Sequence, residues 1–252
     1  MDVSSAVHTL ERDLRGIFGA RLRSLIVYGL RARRQAEPQR DHHGSQAHTH
    51  EMPPTHTLVV VDALTPDDLR ACSTRVGSWH DAALATPLVV ATHEFERSLD
   101  TFPFEFGDIL TDHVVVSGAN PFDGLRVDTA DLRRACEVQA RGHLLHLREG
   151  YIETRGRADA LAVLIVQSAP AFATLITSVA RLDGRSGDDA AAVARHVERR
   201  LELSGTTAGD VTALAGVKEI SSAEAERLFA PYLDTVERLV RYVDGWKARD
   251  SR

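Results

Sequence analysis

The spacing of apolar and polar positions divides the chain into two parts. In the first part, short runs of aliphatic and β-branched residues alternate with amphipathic stretches, a pattern that predicts strands connected by helices. The predicted strands cover residues 22–28, 57–62, 87–91 and 113–117. The predicted helices cover residues 3–18, 65–80 and 94–100. This order of elements is typical of an α/β fold.

Turn-forming residues mark the end of the first part. The stretch "GANPFDGLRVD", residues 118–128, concentrates glycine, proline and asparagine, and beyond it the apolar residues recur at helical spacing. Apolar stripes in residues 129–150, 157–182, 188–203 and 228–246 predict a bundle of four or five helices. We therefore expect an α/β domain over residues 1–120 and an all-α domain over residues 121–252.

One apolar segment in the second part has the length of a membrane span. Residues 160–180, "ALAVLIVQSAPAFATLITSVA", carry no charged side chain. The segment is rich in Ala, Ser and Thr, includes Gln167 and Pro170, and lies among helical segments of similar length. We interpret it as the buried central helix of the bundle, so no membrane association is predicted.

Composition narrows the classes of function. The chain has 252 residues, of which 43% are hydrophobic and 26% charged, values that are average for a globular protein. Its formal net charge of −6 argues against general nucleic-acid binding. The two cysteines, Cys72 and Cys136, lie far apart in sequence and in no metal-ligand spacing, so neither a disulfide framework nor a Cys-rich zinc site is supported. Both are interpreted as structural. The N-terminus has acids where a signal peptide needs basic residues, so the predicted location is the cytoplasm.

Several short stretches carry a resemblance to a known family. The segments "SLIVYGLRAR", "LVVVD", "TPDDL" and "FPFEFGDILTDHVVVSGANPF", followed by long helices, resemble the bacterial, aminoglycoside-type nucleotidyltransferases. In that family a strand ends in Gly-Ser-x-x-Arg, and an Asp-x-Asp pair on the next strand holds Mg²⁺ on the phosphates of an NTP. The resemblance implies a mixed sheet with flanking helices and a helical C-terminal domain.

The first family motif maps onto residues 29–33. Gly29 takes the place of the glycine, Leu30 that of the serine and Arg33 that of the arginine, and Arg31 adds another cation. A glycine lets the backbone approach a phosphate closely, and arginine binds phosphate oxygens. The resemblance therefore implies that these four residues contact the phosphates of a nucleotide, although a solvated basic turn fits them equally well.

The second family motif lacks its carboxylates. Counted back from "LVVVD", the two acids fall on Pro54 and His56, neither of which supplies the hard oxygen ligands that Mg²⁺ prefers. Asp41 or Glu51 could substitute if the alignment slips, but neither belongs to an acid-x-acid pair. We therefore predict a degenerate member that binds a nucleotide or a protein partner without transferring anything, and we assign no catalytic residue.

The main alternative is an active transferase that moves a nucleotidyl group from an NTP to a small hydroxylated acceptor. It would use Mg²⁺ with the NTP, held by acids that the motif does not identify. A third carboxylate could come from Glu94, Glu105 or Asp108, which are also typical helix-surface or capping acids.

A histidine-rich segment supports a third hypothesis. Residues 31–56 contain five of the twelve histidines. His48 and His50 flank one residue, so in an extended segment both imidazoles face one way and, together with His56, could bind Zn²⁺ or Ni²⁺. The segment would then be a metal-binding or interaction module, whereas the simpler interpretation is a solvated loop.

A ribonuclease site in the helical part is a weaker alternative. Arg141 and His146 have a spacing that such sites use, but Arg75 and His80 repeat it in the α/β part. The repetition indicates that the spacing arises readily by chance.

Overall fold

A computed structural model of the chain describes residues 5–29, 54–185 and 189–247. The chain forms two compact units, one that ends at Val127 and one that begins at Asp128.

A mixed four-stranded sheet forms the first unit. Its helices are α1 (Ser5–Phe18), α2 (Pro66–Ser73), α3 (Val76–Asp81), α4 (Thr92–Thr101) and α5 (Pro103–Thr111), with a short 3₁₀ turn at Gly19–Arg21. Its strands are β1 (Leu22–Tyr28), β2 (His56–Val61), β3 (Leu88–Ala91) and β4 (His113–Gly118). The strand order is β3-β2-β1-β4, with β1 antiparallel to both of its neighbours and β2 parallel to β3. The predicted α/β architecture with flanking helices is confirmed.

Side chains that alternate along β1 and β2 build a separate core on each face of the sheet. One face packs against α1 and Trp79, and buries Leu25, Val27, Val59 and Val61. The other face packs against α4 and α5, and buries Ile26, Leu58 and Val60 together with five aromatic or aliphatic partners. These partners are Phe95, Leu99, Phe106, Ile109 and Phe122. Because both faces are covered, the two central strands are apolar along most of their length.

The single helix predicted over residues 65–80 is wrong, because the structure has two helices there. Helix α2 begins as expected, since the Thr65 hydroxyl accepts from the Asp68 N–H and Pro66 occupies the first turn. It ends at Ser73, whose hydroxyl bonds back to the Arg70 carbonyl oxygen at 2.8 Å. Such side-chain bonds compete with helix continuation. Helix α5 was not predicted, because its proline and glycine read as turn formers.

Five helices form the described part of the second unit. They are α6 (Thr129–Glu153), α7 (Ala158–Leu182), α8 (Ala190–Arg200), α9 (Thr207–Thr212) and α10 (Ser222–Gly245). Helices α6, α7 and α10 pack against one another, and α8 and α9 pack against α7. The predicted helical bundle is confirmed.

Helix α7 is the predicted apolar segment. Among the described residues, it is the one helix that by length and composition could cross a membrane. It contacts α6, α8, α9 and α10. Its buried side chains include Ile165, Phe172, Leu175 and Ile176. These contacts agree with the place at the centre of the bundle that the sequence predicts.

A buried polar contact lies inside the bundle. The Tyr232 hydroxyl is 2.6 Å from His143 Nε2 and 3.1 Å from Ser168 Oγ, so it joins α10 to α6 and α7. Tyr232 is fully buried. Burial, with a smaller effect of His146, lowers the pKa of His143 to about 4, so the imidazole is neutral at pH 7.

Both cysteines lie in environments that suppress thiolate formation. Burial raises the pKa of Cys136 to about 12, and burial with the nearby Asp68 charge raises the pKa of Cys72. Because the thiolate is the nucleophile, these shifts fit the predicted structural role.

Candidate functional site

Three strands bring polar rings together at one edge of the sheet. Tyr28, the last residue of β1, lies directly opposite His56 on β2 and His113 on β4. Directly opposed residues point to the same face of a sheet. This face is the one that α4 and α5 cover, so the three side chains lie at the margin of that core.

The Tyr28 and His56 rings contact each other. Their centroids are 5.6 Å apart, with 32° between the ring planes. His56 is exposed and Tyr28 is half-buried. Burial raises the pKa of Tyr28, so the phenol keeps its proton at neutral pH. The pair therefore offers solvent an imidazole backed by an aromatic ring.

The His113 side chain is held by hydrogen bonds and by ring packing. Its Nδ1 lies 2.9 Å from the Ile109 carbonyl oxygen and 3.2 Å from that of Leu110, and its ring packs on Phe122 with centroids 4.8 Å apart. A carbonyl only accepts hydrogen bonds, so Nδ1 carries the hydrogen and Nε2 of the neutral ring is an acceptor.

Gly29 turns the chain at the end of β1. Its φ of +69° is in the left-handed region, and its N–H donates to the Asp112 carbonyl oxygen at 3.2 Å. No atom lies within 4 Å of the position that a Cβ would take. The backbone conformation, and not a lack of space, therefore favours glycine here.

The edge lacks a paired-carboxylate metal site in its described part. Pro54 lies two residues before His56, the first residue of β2, and neither residue carries a carboxylate. Within residues 5–29, 54–185 and 189–247, no group of three or more His, Cys, Asp or Glu side chains is arranged to hold a metal ion. The described residues can donate hydrogen bonds to an anion and stack against a ring.

Comparison with known proteins finds a solved structure of similar fold. No protein-family model matches the chain, and the search of curated proteins also finds no match. Among solved structures, the chain is similar to a spectinomycin adenyltransferase, AAD(9), from Enterococcus faecialis, with ATP and spectinomycin. The TM-score is 0.52 at 10% identity, over 94% of this chain and 99% of that one. The chain has a nucleotidyltransferase-like fold.

The structure describes some of the predicted site residues and leaves others outside the described ranges. The structure brings Gly29 and His56 to the same edge of the sheet, on neighbouring strands. Leu30, Arg31 and Arg33 lie outside the described residues. The remaining predicted metal ligands, His48 and His50, also lie outside them, as do the possible substitutes Asp41 and Glu51. Phosphate binding and metal binding by these residues stay predictions.

The candidates for a third carboxylate are separated from one another. Glu94 caps α4 by accepting from the Ala91 N–H at 2.8 Å, and Ala91 ends β3. Because β3 runs parallel to β2, this cap lies at the sheet edge opposite His56, so Glu94 does not belong to the candidate site. Glu105 and Asp108 are exposed on α5.

Arg141 and His146, the two residues of the ribonuclease hypothesis, each contact an acidic side chain. The Arg141 guanidinium contacts Asp244 at 2.7 Å, and His146 Nδ1 lies 3.5 Å from Glu149. Both contacts lie on the exposed surface of the helical unit.

Sequence reasoning missed Asp112 and His113 as members of this edge. Their signal is the polar pair in "TDHVVV", directly before an apolar strand. The pair becomes informative only when β4 is known to lie beside β1, which no local pattern reveals.

Proposed function

We propose that this protein binds a nucleotide at the sheet edge of its nucleotidyltransferase-like unit and does not carry out metal-dependent nucleotidyl transfer. The observation that carries the proposal is the cross-strand position of His56 beside Tyr28. At this position and at Pro54, two residues before, an acid-x-acid pair would share one metal ion.

The chemistry of His56 supports binding without a metal. A carboxylate needs Mg²⁺ between itself and a phosphate, because both groups are anionic. An imidazole N–H donates to a phosphate oxygen directly. The exposed His56 ring and the turn at Gly29 therefore form a surface that would accept a phosphate group in the absence of a divalent cation.

The nucleotide is the ligand class that fits best. The similar structure is that of an adenyltransferase with ATP and spectinomycin. Its likeness to this chain supports a common fold, and fold alone does not determine function. The ligand proposal therefore also depends on the left-handed turn at Gly29, which follows β1 in the same way as the glycine turn of the family motif.

An active transferase is the second candidate. The observation that favours it is the backbone hydrogen bond between Gly29 and Asp112, which brings one carboxylate-bearing residue next to the glycine turn. A transferase would still need further acids, and Asp41 and Glu51 are the candidates outside the described residues.

Calorimetric titration separates the two candidates. ATP, GTP, CTP and UTP are titrated into the purified protein with EDTA and then with excess Mg²⁺, and pyrophosphate release is assayed in parallel. We expect binding of similar affinity in both conditions and no pyrophosphate. Binding that requires Mg²⁺, together with pyrophosphate release, would establish the transferase instead.

A matched pair of variants locates the site. His56→Ala removes the exposed imidazole at the candidate edge and should weaken nucleotide binding about tenfold or more, the effect of losing a charge-assisted or similarly strong hydrogen bond. His93→Ala removes another exposed imidazole, on α4 directly after β3. This residue lies at the end of the sheet opposite His56, so the variant should leave binding unchanged. Equal affinity of the two variants would place the nucleotide elsewhere.

A further inference from the structure

A cavity in the helical unit has a composition that the proposed nucleotide site does not explain. It encloses about 640 Å³ where α7 and α10 end and α6 begins. Its walls include three cations, Arg200, Arg241 and Lys247, and two aromatic residues, Tyr242 and Trp246. Among the described lining residues Asp183 is the one acid.

The Asp183 carboxylate accepts hydrogen bonds from four side chains of the helical unit. One carboxylate oxygen accepts from the Tyr242 hydroxyl at 2.6 Å and from Trp246 Nε1 at 3.3 Å. The other accepts from His196 Nε2 and from Arg200 Nε, both at 3.0 Å. Burial alone would raise the pKa of Asp183, but these donors lower it below its ordinary value. Asp183 therefore remains an internal anion that holds the cavity wall together.

Two of the cations have no such partner. Neither Arg241 nor Lys247 forms an ion pair with another residue of the described part of the chain, and both are exposed. Arg200 uses its Nε for both Asp183 and the Tyr242 hydroxyl, so the hydrogens on its terminal nitrogens are not needed for those contacts. The Arg200 guanidinium also lies 5.5 Å from the centre of the Tyr242 ring, which fixes its position.

The unit thus carries a positively charged cavity in a protein of net charge −6. Thr129, the first residue of α6, also lines it, but the Asp128 carboxylate caps this helix end by accepting from the Ala130 N–H at 2.7 Å, so the positive field comes from the three cations. A preorganised guanidinium and two cations that have no ion-pair partner among the described residues are groups that bind phosphate oxygens. An isolated phosphate would contact one or two of these groups, whereas a linear oligophosphate could contact several at once.

We infer that this cavity binds an oligophosphate anion, either free or as the phosphate chain of a nucleotide, through Arg200, Arg241 and Lys247. Tyr242 and Trp246 hold the cavity wall through Asp183 and position Arg200. This site lies entirely within the helical unit and is separate from the sheet edge at His56.

Inorganic tripolyphosphate with EDTA is the probe, titrated calorimetrically into the full chain. We expect a site whose affinity is at least tenfold weaker in Arg241→Ala/Lys247→Ala. The control Arg238→Ala/Lys218→Ala removes the same two charges from outside the cavity, since Arg238 is paired with Asp234 and Lys218 is exposed on a loop. The control should bind like the wild type.

Two comparisons complete the test. In the His56→Ala background, ATP should bind the cavity and adenosine should not, and an ATP affinity above that of tripolyphosphate would identify a nucleotide as the source of the phosphate chain. The His56→Ala variant should retain tripolyphosphate binding, so that failure of the nucleotide site and failure of this site are distinguishable. The inference is overturned if the wild type does not bind tripolyphosphate, if both double variants lose binding equally, or if His56→Ala alone abolishes it.

Discussion

His56 lies directly opposite Tyr28 across the β1–β2 pair, with the two ring centroids 5.6 Å apart. This contact fixes where the second strand starts relative to the glycine turn at Gly29. Under the proposed function, Pro54 and His56 take the positions that the metal-binding pair would occupy. Neither residue carries a carboxylate.

Placing two acids at these positions should create a metal-dependent site. In Pro54→Asp/His56→Asp the carboxylates would stand at i and i+2 of one extended segment and point to one face. We expect Mg²⁺ to tighten ATP binding about tenfold or more in this variant, because a shared cation would bridge the acids to the phosphates. Calorimetry with EDTA and with Mg²⁺ measures the difference.

The single variant His56→Asp is the control, since one carboxylate next to a phosphate repels it. It should bind ATP more weakly than the wild type in EDTA. A double variant that responds to Mg²⁺ no more than the single variant would contradict the proposed position of the lost pair.

Local patterns predicted most of the elements. The strand at Leu22–Tyr28 was predicted with its observed bounds, because an apolar run ends there at a glycine. The capping box at Thr65 likewise located the start of α2. Both signals are contained in a few consecutive residues, so they are readable without knowledge of the rest of the fold.

The contacts between distant residues could not be predicted in the same way. His113 reaches the candidate site because β4 pairs with β1 across more than 80 residues of sequence. Asp183 meets Trp246, and Tyr232 meets His143, only after the helices have packed. These contacts depend on long-range packing, which apolar periodicity alone does not specify.

Gly118, the last residue of β4, should resist any substitution. Its φ is +83°, and a Cβ there would lie 1.8 Å from the Arg23 carbonyl oxygen. We expect Gly118→Ala to lower the free energy of unfolding by about 2–4 kcal/mol, from backbone strain and from the displacement of β1. Urea denaturation followed by circular dichroism measures the change.

Gly16 provides the opposite case. It lies exposed within α1, and no atom would come within 4 Å of an added Cβ. Gly16→Ala should raise the free energy of unfolding by about 0.5–1 kcal/mol, because alanine favours the helix. Equal stabilities of the two variants would show that the close approach of Gly118 to Arg23 is absent.

Tyr232 should contribute to stability through its hydroxyl. Tyr232→Phe keeps the buried ring and removes the partner of His143 Nε2 and Ser168 Oγ. We expect a loss of about 1–3 kcal/mol in the free energy of unfolding, the cost of leaving buried polar atoms unpaired. Tyr151 stacks on Phe229 and is 45% exposed, so Tyr151→Phe should change stability by about 0.5 kcal/mol or less. Similar losses in both variants would contradict a special role of the buried hydroxyl.

His143 should make the stability of the helical unit depend on pH. Burial lowers the pKa of the His143 imidazole to about 4 in the folded protein, against an ordinary value of about 6.5. Between these two values the unfolded chain binds more protons than the folded chain, so lowering the pH favours unfolding. The contribution of His143 is fully present above about pH 6.5, and on the order of 2–3 kcal/mol is lost by about pH 4.

The variant His143→Gln separates this effect from all other titrations. Glutamine can still hydrogen-bond to the Tyr232 hydroxyl, but it binds no proton in this range. Urea unfolding at a series of pH values should therefore give a smaller loss of stability for the variant than for the wild type between pH 6.5 and pH 4. Asp183, whose pKa is lowered in the folded protein, loses its contribution at lower pH and does so equally in both proteins. Parallel curves for the two proteins across this window would mean that His143 is solvated and not buried against Tyr232.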